Sequence, residues 1–318
     1  MKRRSIAVIG LLAVVVLFAF ASCSRTNTNN NTTDDSSAAA KQAQEDILVG
    51  TLQVVVDEST LPLMKEQEEV FLAAYPNAKL NIIAKPEVFA VRELLGNNAS
   101  VAILARTLNE EEAQYFEKRS ITPRVFPVWT DGIVVVSNTK AADTSVTIAY
   151  LLDAMRGKRA DGRKIVFDNI NSSSFRQLQE IGKIEKVASS FIEAGDGAKG
   201  VLERVAASED RIGILGFNEY RDLLTSFPNK NNIRILSVQN TLGDKADNKF
   251  YKPNQSTIAA GQYPLQRTFY VLNYQPNMGL GIGFSAFLTG DRGQRIVLKS
   301  GAVPATMPGR EIIVRDNI

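Results

Sequence analysis

Two short stretches of this 318-residue chain concentrate hydroxyls where chemistry is feasible: Asp57-Glu58-Ser59-Thr60 and Asn171-Ser172-Ser173-Ser174-Phe175-Arg176. Each follows a β-branched run and precedes a helix-forming one. A helix start exposes unpaired N–H groups and carries partial positive charge, so hydroxyl donors beside it suit a tetrahedral oxyanion held without a metal. In open α/β sheets ligands settle beyond the carboxyl ends of the strands, where both stretches fall. The plain alternative is that Ser and Thr simply cap the helices that follow.

Other chemistries are excluded by composition. The chain has no histidine, which removes Ser-His-Asp and Cys-His catalysis in their usual forms and the commonest zinc ligand. Its one cysteine is Cys23, so no intramolecular disulfide forms. A carboxylate-only hydrolase remains open in principle, but no spacing singles out an acid-base pair. The glycines at 279, 281 and 283 are not followed by the Lys-Ser/Thr of a phosphate-binding loop, and their expected role is to let helices pack closely. Neither a metal nor a cofactor is expected.

The elements that must position the two stretches alternate. A strand at 52–56 is followed by a helix at 61–74 with Leu63, Val70, Phe71 and Ala74 on one face. A half-buried strand follows at 80–84, then a short helix from Pro86 that ends at Gly96, a residue suited to the left-handed position. After a strand at 101–104, Asn109 and Glu112 form a capping box. A β-branched strand occupies 134–136, and Thr147 caps a helix through Met155. Further strands are expected at 165–167, 212–215, 233–238 and 268–273, with helices after Ser174 and near Val201 and Tyr220. A surface loop covers 245–261, two helices break at Gly290-Asp291, and a last strand falls at 311–314. This alternation predicts an α/β fold with largely parallel sheets, and about 270 folded residues suit two lobes better than one core.

The C-terminal segments carry a resemblance. Tyr263-Pro264-Leu265-Gln266-Arg267-Thr268-Phe269-Tyr270, the glycine-rich run from Gly279 to Leu288, and Gly293 to Pro304 together resemble the closing segment of periplasmic phosphate-binding proteins of ABC transporters. The resemblance implies a two-lobed type II periplasmic-binding-protein fold: lobe 1 from 47–133 and 264–318, lobe 2 from 134–263. In residue terms, Ser59 and Thr60 match the family's first-loop hydroxyls, and Ser172, Ser173 and Ser174 match its Ser-Gly-Thr turn. That match, with the two junctions in different lobes, favours a ligand site over capping for the pair.

The same resemblance assigns Arg106 to an arginine after the third strand, suited to a bidentate oxyanion contact, with a surface or interlobe salt bridge as the alternative. Gly197 is placed to offer a backbone donor, or merely to make a turn. Trp129 and Asp131 flank the crossing between lobes, Trp129 more naturally as core. Two departures concern substrate. Ser100 stands near the family's phosphate-proton acceptor, and Asp168 replaces its arginine before the serine turn, leaving Arg176 as the candidate to restore the charge.

At the N-terminus, Lys2, Arg3 and Arg4, an apolar run over 6–20 and Phe20-Ala21-Ser22-Cys23 resemble a lipoprotein signal, with Cys23 as the lipidated residue. Residues 23–46 are polar and read as a tether. Removing the three basic residues takes Lys plus Arg from 37 to 34 against 34 acidic residues, so no basic field suggests nucleic acid. The expected protein is thus a lipid-anchored monomer of the bacterial cell envelope, not an enzyme. It captures a small oxyanion, phosphate first, for an ABC permease that the resemblance implies. The alternative is a non-transporting surface lipoprotein of the same fold that senses or scaffolds.

Overall fold

The computed structural model describes residues 47–158 and 161–309. The lipidation residue Cys23, the tether over 23–46 and the strand expected at 311–314 lie outside them. In chain order the first elements are β1 (Gly50–Asp57), α1 (Leu61–Ala74), β2 (Ala78–Lys85), α2 (Glu87–Leu95), β3 (Val101–Leu104), α3 (Glu110–Glu117) and β4 (Arg124–Asn138). Then come β5 (Ser145–Val146), α4 (Ile148–Met155), β6 (Lys164–Phe167), α5 (Ser173–Gly182), β7 (Ile192–Ala194), α6 (Gly197–Ala207), β8 (Arg211–Gly216) and α7 (Phe217–Leu224). The chain closes with β9 (Ile233–Ile235), β10 (Ser237–Gln239), β11 (Phe250–Tyr251), α8 (Gln255–Ala259), β12 (Gln266–Asn273), α9 (Leu280–Thr289), α10 (Asp291–Ser300) and β13 (Val303–Pro304).

The main sheet runs β2-β1-β3-β12-β4-β8-β6-β7. Its middle is one long strand. Residues 124–132 of β4 pair antiparallel with β12, whereas Ile133 to Ser137 pair antiparallel with β8. Parallel pairing holds on either side, β1 with β2 and β3, and β6 with β7 and β8. The sheets are therefore mixed, parallel at the flanks and antiparallel where β4 links them.

Strand alternation sorts the apolar residues. Val54, Val56, Ile103 and Val271 face a cluster with α1, α9 and α10, while Val55, Ala102, Leu104 and Leu272 face one with α2 and α3. A third buried cluster draws all its members from between Ile133 and Leu265. Each section of sheet thus has its own core, and β4 joins them without a break.

Several local expectations are corrected. The buried stripe of α1 is Leu63, Met64, Gln67 and Phe71, with Val70 facing out; Gln67 is buried because it donates to the Gly293 carbonyl at 2.9 Å. Gly96 is helical, and the left-handed residue is Asn97. The strand expected over 233–238 breaks at Leu236, β9 pairing with β4 and β10 with β5. The loop over 245–261 contains β11 and α8, the latter boxed by Asn254 and Thr257. Gly283 makes room for the Ile47 backbone rather than for another helix. The Asn109–Glu112 capping box forms in both directions, at 2.9 Å each way.

Candidate functional site

The first junction is a tight turn closed by its own aspartate. Asp57 Oδ1 accepts from Ser59 N at 3.0 Å and from Ser59 Oγ at 2.6 Å, while Thr60 Oγ1 donates to the Asp57 carbonyl at 2.7 Å. The second junction repeats the device. Asp168 Oδ1 accepts from Ser172 Oγ at 2.6 Å and from Asn169 N at 2.8 Å, and Ser172 Oγ caps α5 by accepting from Phe175 N at 3.3 Å. All five hydroxyl residues are buried.

Arg267 brings the junctions together. It is 3 % exposed, and its Nη1 donates to Ser173 Oγ at 2.5 Å and Ser174 Oγ at 3.2 Å. Its Nη2 lies 3.7 Å from Asp131 Oδ2, and the guanidinium sits 4.9 Å over the Phe269 ring. Gly216 closes the other side: a Cβ built on it would collide with Arg267 Nη2 and come within 3.2 Å of Ser59 Cβ. Ser59 and the Ser173-Ser174 pair therefore approach one guanidinium from two strand ends. The Nε and Nη2 of Arg267 have no hydrogen-bond partner.

The sequence reading did not select Arg267, although a signal was present. Arg267 is in phase with Phe269 and Val271 on the buried side of β12. A cation on the inward side of an alternating strand needs a partner to justify its burial.

The other predicted residues are placed as follows. Arg106 grips Glu112 with both Nη atoms, at 2.6 and 2.8 Å, and its Nε lies 3.4 Å from Glu87. Arg176 holds Glu87 through Nε and Nη2 and Glu180 through Nη1. Buried Glu87 is thus shared by two arginines, one following β3 and one on α5, and Val88 N donates to the Asn171 carbonyl beside it at 3.2 Å. Both guanidiniums are committed to carboxylates, so the positive charge meeting the serine turn comes from Arg267 and not from Arg176. They line, with Gln177, Arg267 and Tyr270, an open cleft of about 500 Å³. Gly197 N donates to the Asp168 carbonyl at 3.2 Å, which spends that donor on the turn. Ser100 lies at the far end of β3 from the cleft, its N–H directed to the Gln53 carbonyl. Trp129 is core, stacked on Phe269.

Carboxyls dominate the electrostatics. Burial, reinforced by the Asp168 and Asp57 charges, pushes Glu58 up to about 7. Burial also raises Asp168 to about 6 against the opposing bonds from Ser172 and Asn169 and the charge of Arg267. Glu219 is held well above the carboxylate range by burial and by Asp168 and Glu58. Burial raises Asp131 too, with Arg267 opposing. Among the described residues no His, Cys, Asp and Glu cluster has metal-holding geometry, and no helix is long and apolar enough to cross a membrane.

Comparisons with known proteins agree with this architecture. A phosphate-binding protein, PstS, of Pseudomonas aeruginosa is 22% identical over 282 residues, covering 80% of this chain and 83% of its own. A structure described as a phosphate ABC transporter substrate-binding protein with bound phosphate, from Clostridium perfringens, superposes with a TM-score of 0.64 at 17% identity, covering 81% of this chain and 100% of that one. An ABC-type phosphate transport receptor from Vibrio cholerae does so with a TM-score of 0.61, also at 17% identity, over 80% of this chain and 100% of its own. A family profile described as a PBP superfamily domain matches residues 37–292, and the chain belongs to that superfamily.

Proposed function

We propose that this protein is an exported, lipid-anchored solute-binding protein that captures a small oxyanion, phosphate first, and presents it to an ABC permease. The carrying observation is the buried guanidinium of Arg267, bonded to the Ser173 and Ser174 hydroxyls and retaining free N–H groups. Kinship with phosphate-binding proteins supports the substrate. Lobe 1 comprises 47–133 and the segment from 264, and lobe 2 comprises 134–263. They turn about β4 near Gly132 and about the segment before β12. No bond is made or broken: the anion stabilises the closed arrangement, which the permease reads. The lipid attachment rests on Phe20-Ala21-Ser22-Cys23.

Thermal unfolding of the chain with phosphate, sulfate, phosphonates and small carboxylates tests the reading, since a ligand specific to the native state raises the melting point by mass action. Phosphate is expected to give the largest rise, and Arg267→Gln to abolish it. A melting point indifferent to every anion would leave the sensor or scaffold reading in its place.

A further inference from the structure

The oxyanion reading meets a shortage of side-chain donors in the site. The hydroxyl protons of Ser59 and Ser172 are spent on Asp57 and Asp168, and that of Thr60 on the Asp57 carbonyl. Among side chains, what remains to offer an anion is Arg267 through Nε and Nη2 and the hydroxyl protons of Ser173 and Ser174, whose oxygens already accept from Arg267; the backbone N–H groups of the two helix starts stand beside them. Acceptors, by contrast, are in excess. Asp57 Oδ2, Glu58 Oε1, Asp131 Oδ1, Asp168 Oδ2 and Glu219 Oε2 are all enclosed and without a hydrogen-bond partner.

These groups converge from five elements. Asp57 and Glu58 come from the first junction, Asp131 from β4, Asp168 from the second junction, Glu219 from α7, and Arg267 from β12. The Glu87–Arg176 pair stands within electrostatic reach of Asp57, and Tyr263, whose hydroxyl donates to the Ile133 carbonyl, stands within reach of Asp131. The one cation, Arg267, stands within reach of Asp131, Asp168 and Glu219, and these last two lie within electrostatic reach of Asp57 and Glu58. A deprotonated anion oxygen and a carboxylate oxygen both only accept, so they sit side by side only when a proton, from a P–OH of the anion or from the carboxyl, lies between them.

We infer that Glu58 and Asp168 bind the anion as neutral carboxylic acids, donating to it, so that capture of the anion takes protons up onto the protein. This rests on the proposed oxyanion capture. Each proton moves from solvent to a carboxylate oxygen, and nothing is oxidised or reduced. Burial already places the ionisation of both carboxyls at about 7 and about 6, so their protons are available near physiological pH. The consequence for specificity is that a fully deprotonated anion is admitted when the protein supplies the proton.

Calorimetric titration of the full chain with sulfate and with phosphate, from pH 5 to pH 8 and in two buffers of different ionisation heat, tests this. Sulfate carries no proton in that range, so any uptake belongs to the protein. We expect net proton uptake with sulfate and affinity lower by about tenfold or more at pH 8 than at pH 6. In Glu58→Gln, which keeps an N–H donor at every pH, the dependence is expected to be shallower, and Asp168→Asn offers the same test at the second carboxyl. Affinity for both anions that is flat with pH, or binding of phosphate with sulfate silent throughout, overturns the inference and leaves oxyanion capture standing. Failure of both anions to bind at any pH removes the capture reading itself, and the inference with it.

Discussion

Replacing Asp168 by asparagine should stabilise the protein in alkaline solution and weaken it slightly in acid. Asp168 is 1 % exposed, and its carboxyl titrates at about 6 instead of 3.8 because burial disfavours the charge. A folded-state value above the unfolded one means that the neutral carboxyl's contribution to stability is complete below pH 3.8. It is lost as the pH rises through 6. The displacement corresponds to ~3 kcal/mol withheld from the wild type at pH 8. Asparagine carries no charge to desolvate. Its carbonyl oxygen can take the bonds from Ser172 Oγ and Asn169 N, and its amide can donate toward the neighbouring carboxyls. The bonds to the charged form are already contained in that displacement, but fitting an amide NH2 where a carboxyl oxygen stood costs ~1 kcal/mol at every pH. The expected net gain is therefore ~2 kcal/mol at pH 8, shrinking to nothing or reversing by ~1 kcal/mol near pH 4. Urea unfolding followed by the fluorescence of Trp129, the sole tryptophan and buried in the core, gives the comparison at each pH. A variant that is destabilised equally at pH 4.5 and pH 8 would refute the electrostatic reasoning and make Asp168 a structural cap alone.

Glu87→Gln removes the charge shared by Arg106 and Arg176 while leaving each arginine its second carboxylate. On the proposed two-lobe reading, losing the charge-assisted bond between Glu87 and Arg176 should cost the closed arrangement ~2 kcal/mol and lower anion affinity by roughly 30-fold. X-ray scattering should show a larger radius of gyration, and an unchanged radius with unchanged affinity would count against Glu87 joining the two proposed lobes. Gly216→Ala places a methyl group against Arg267 at a backbone φ of −66° that alanine adopts freely, so anion binding should fall ~10-fold or more with the fold retained. Normal anion affinity in that variant would show that Arg267 does not sit at the ligand. Cys23→Ser should move the protein from the membrane fraction to the soluble one, and unchanged membrane retention would exclude lipidation at that residue.

Much of the scaffold was legible because it depends on neighbours in the chain. The α1 helix, the Asn109–Glu112 box and the strand-helix junctions at Asp57 and Ser172 follow from periodicity and capping over a few residues. The burial of Gln67 was hidden because its partner, the Gly293 carbonyl, lies 226 residues away. The full length of β4 was also hidden, since Pro127 and the aromatics before Ile133 do not read as a continuous strand.

The candidate site divides along the same line. Local residue types were sufficient to mark hydroxyls at two helix starts and to exclude histidine-based catalysis. Tertiary structure alone decided which cation meets those hydroxyls, because choosing among Arg106, Arg176 and Arg267 depends on which carboxylates fold against each. Arg106 and Arg176 both find Glu87, with Glu112 and Glu180 as their second partners, whereas Arg267 enters on a returning strand and keeps N–H groups without a hydrogen-bond partner among carboxyls that each have one unpartnered oxygen. Spacing along the chain encodes only local ion pairs such as Arg176–Glu180, whereas pairs between distant segments are a property of distances in space.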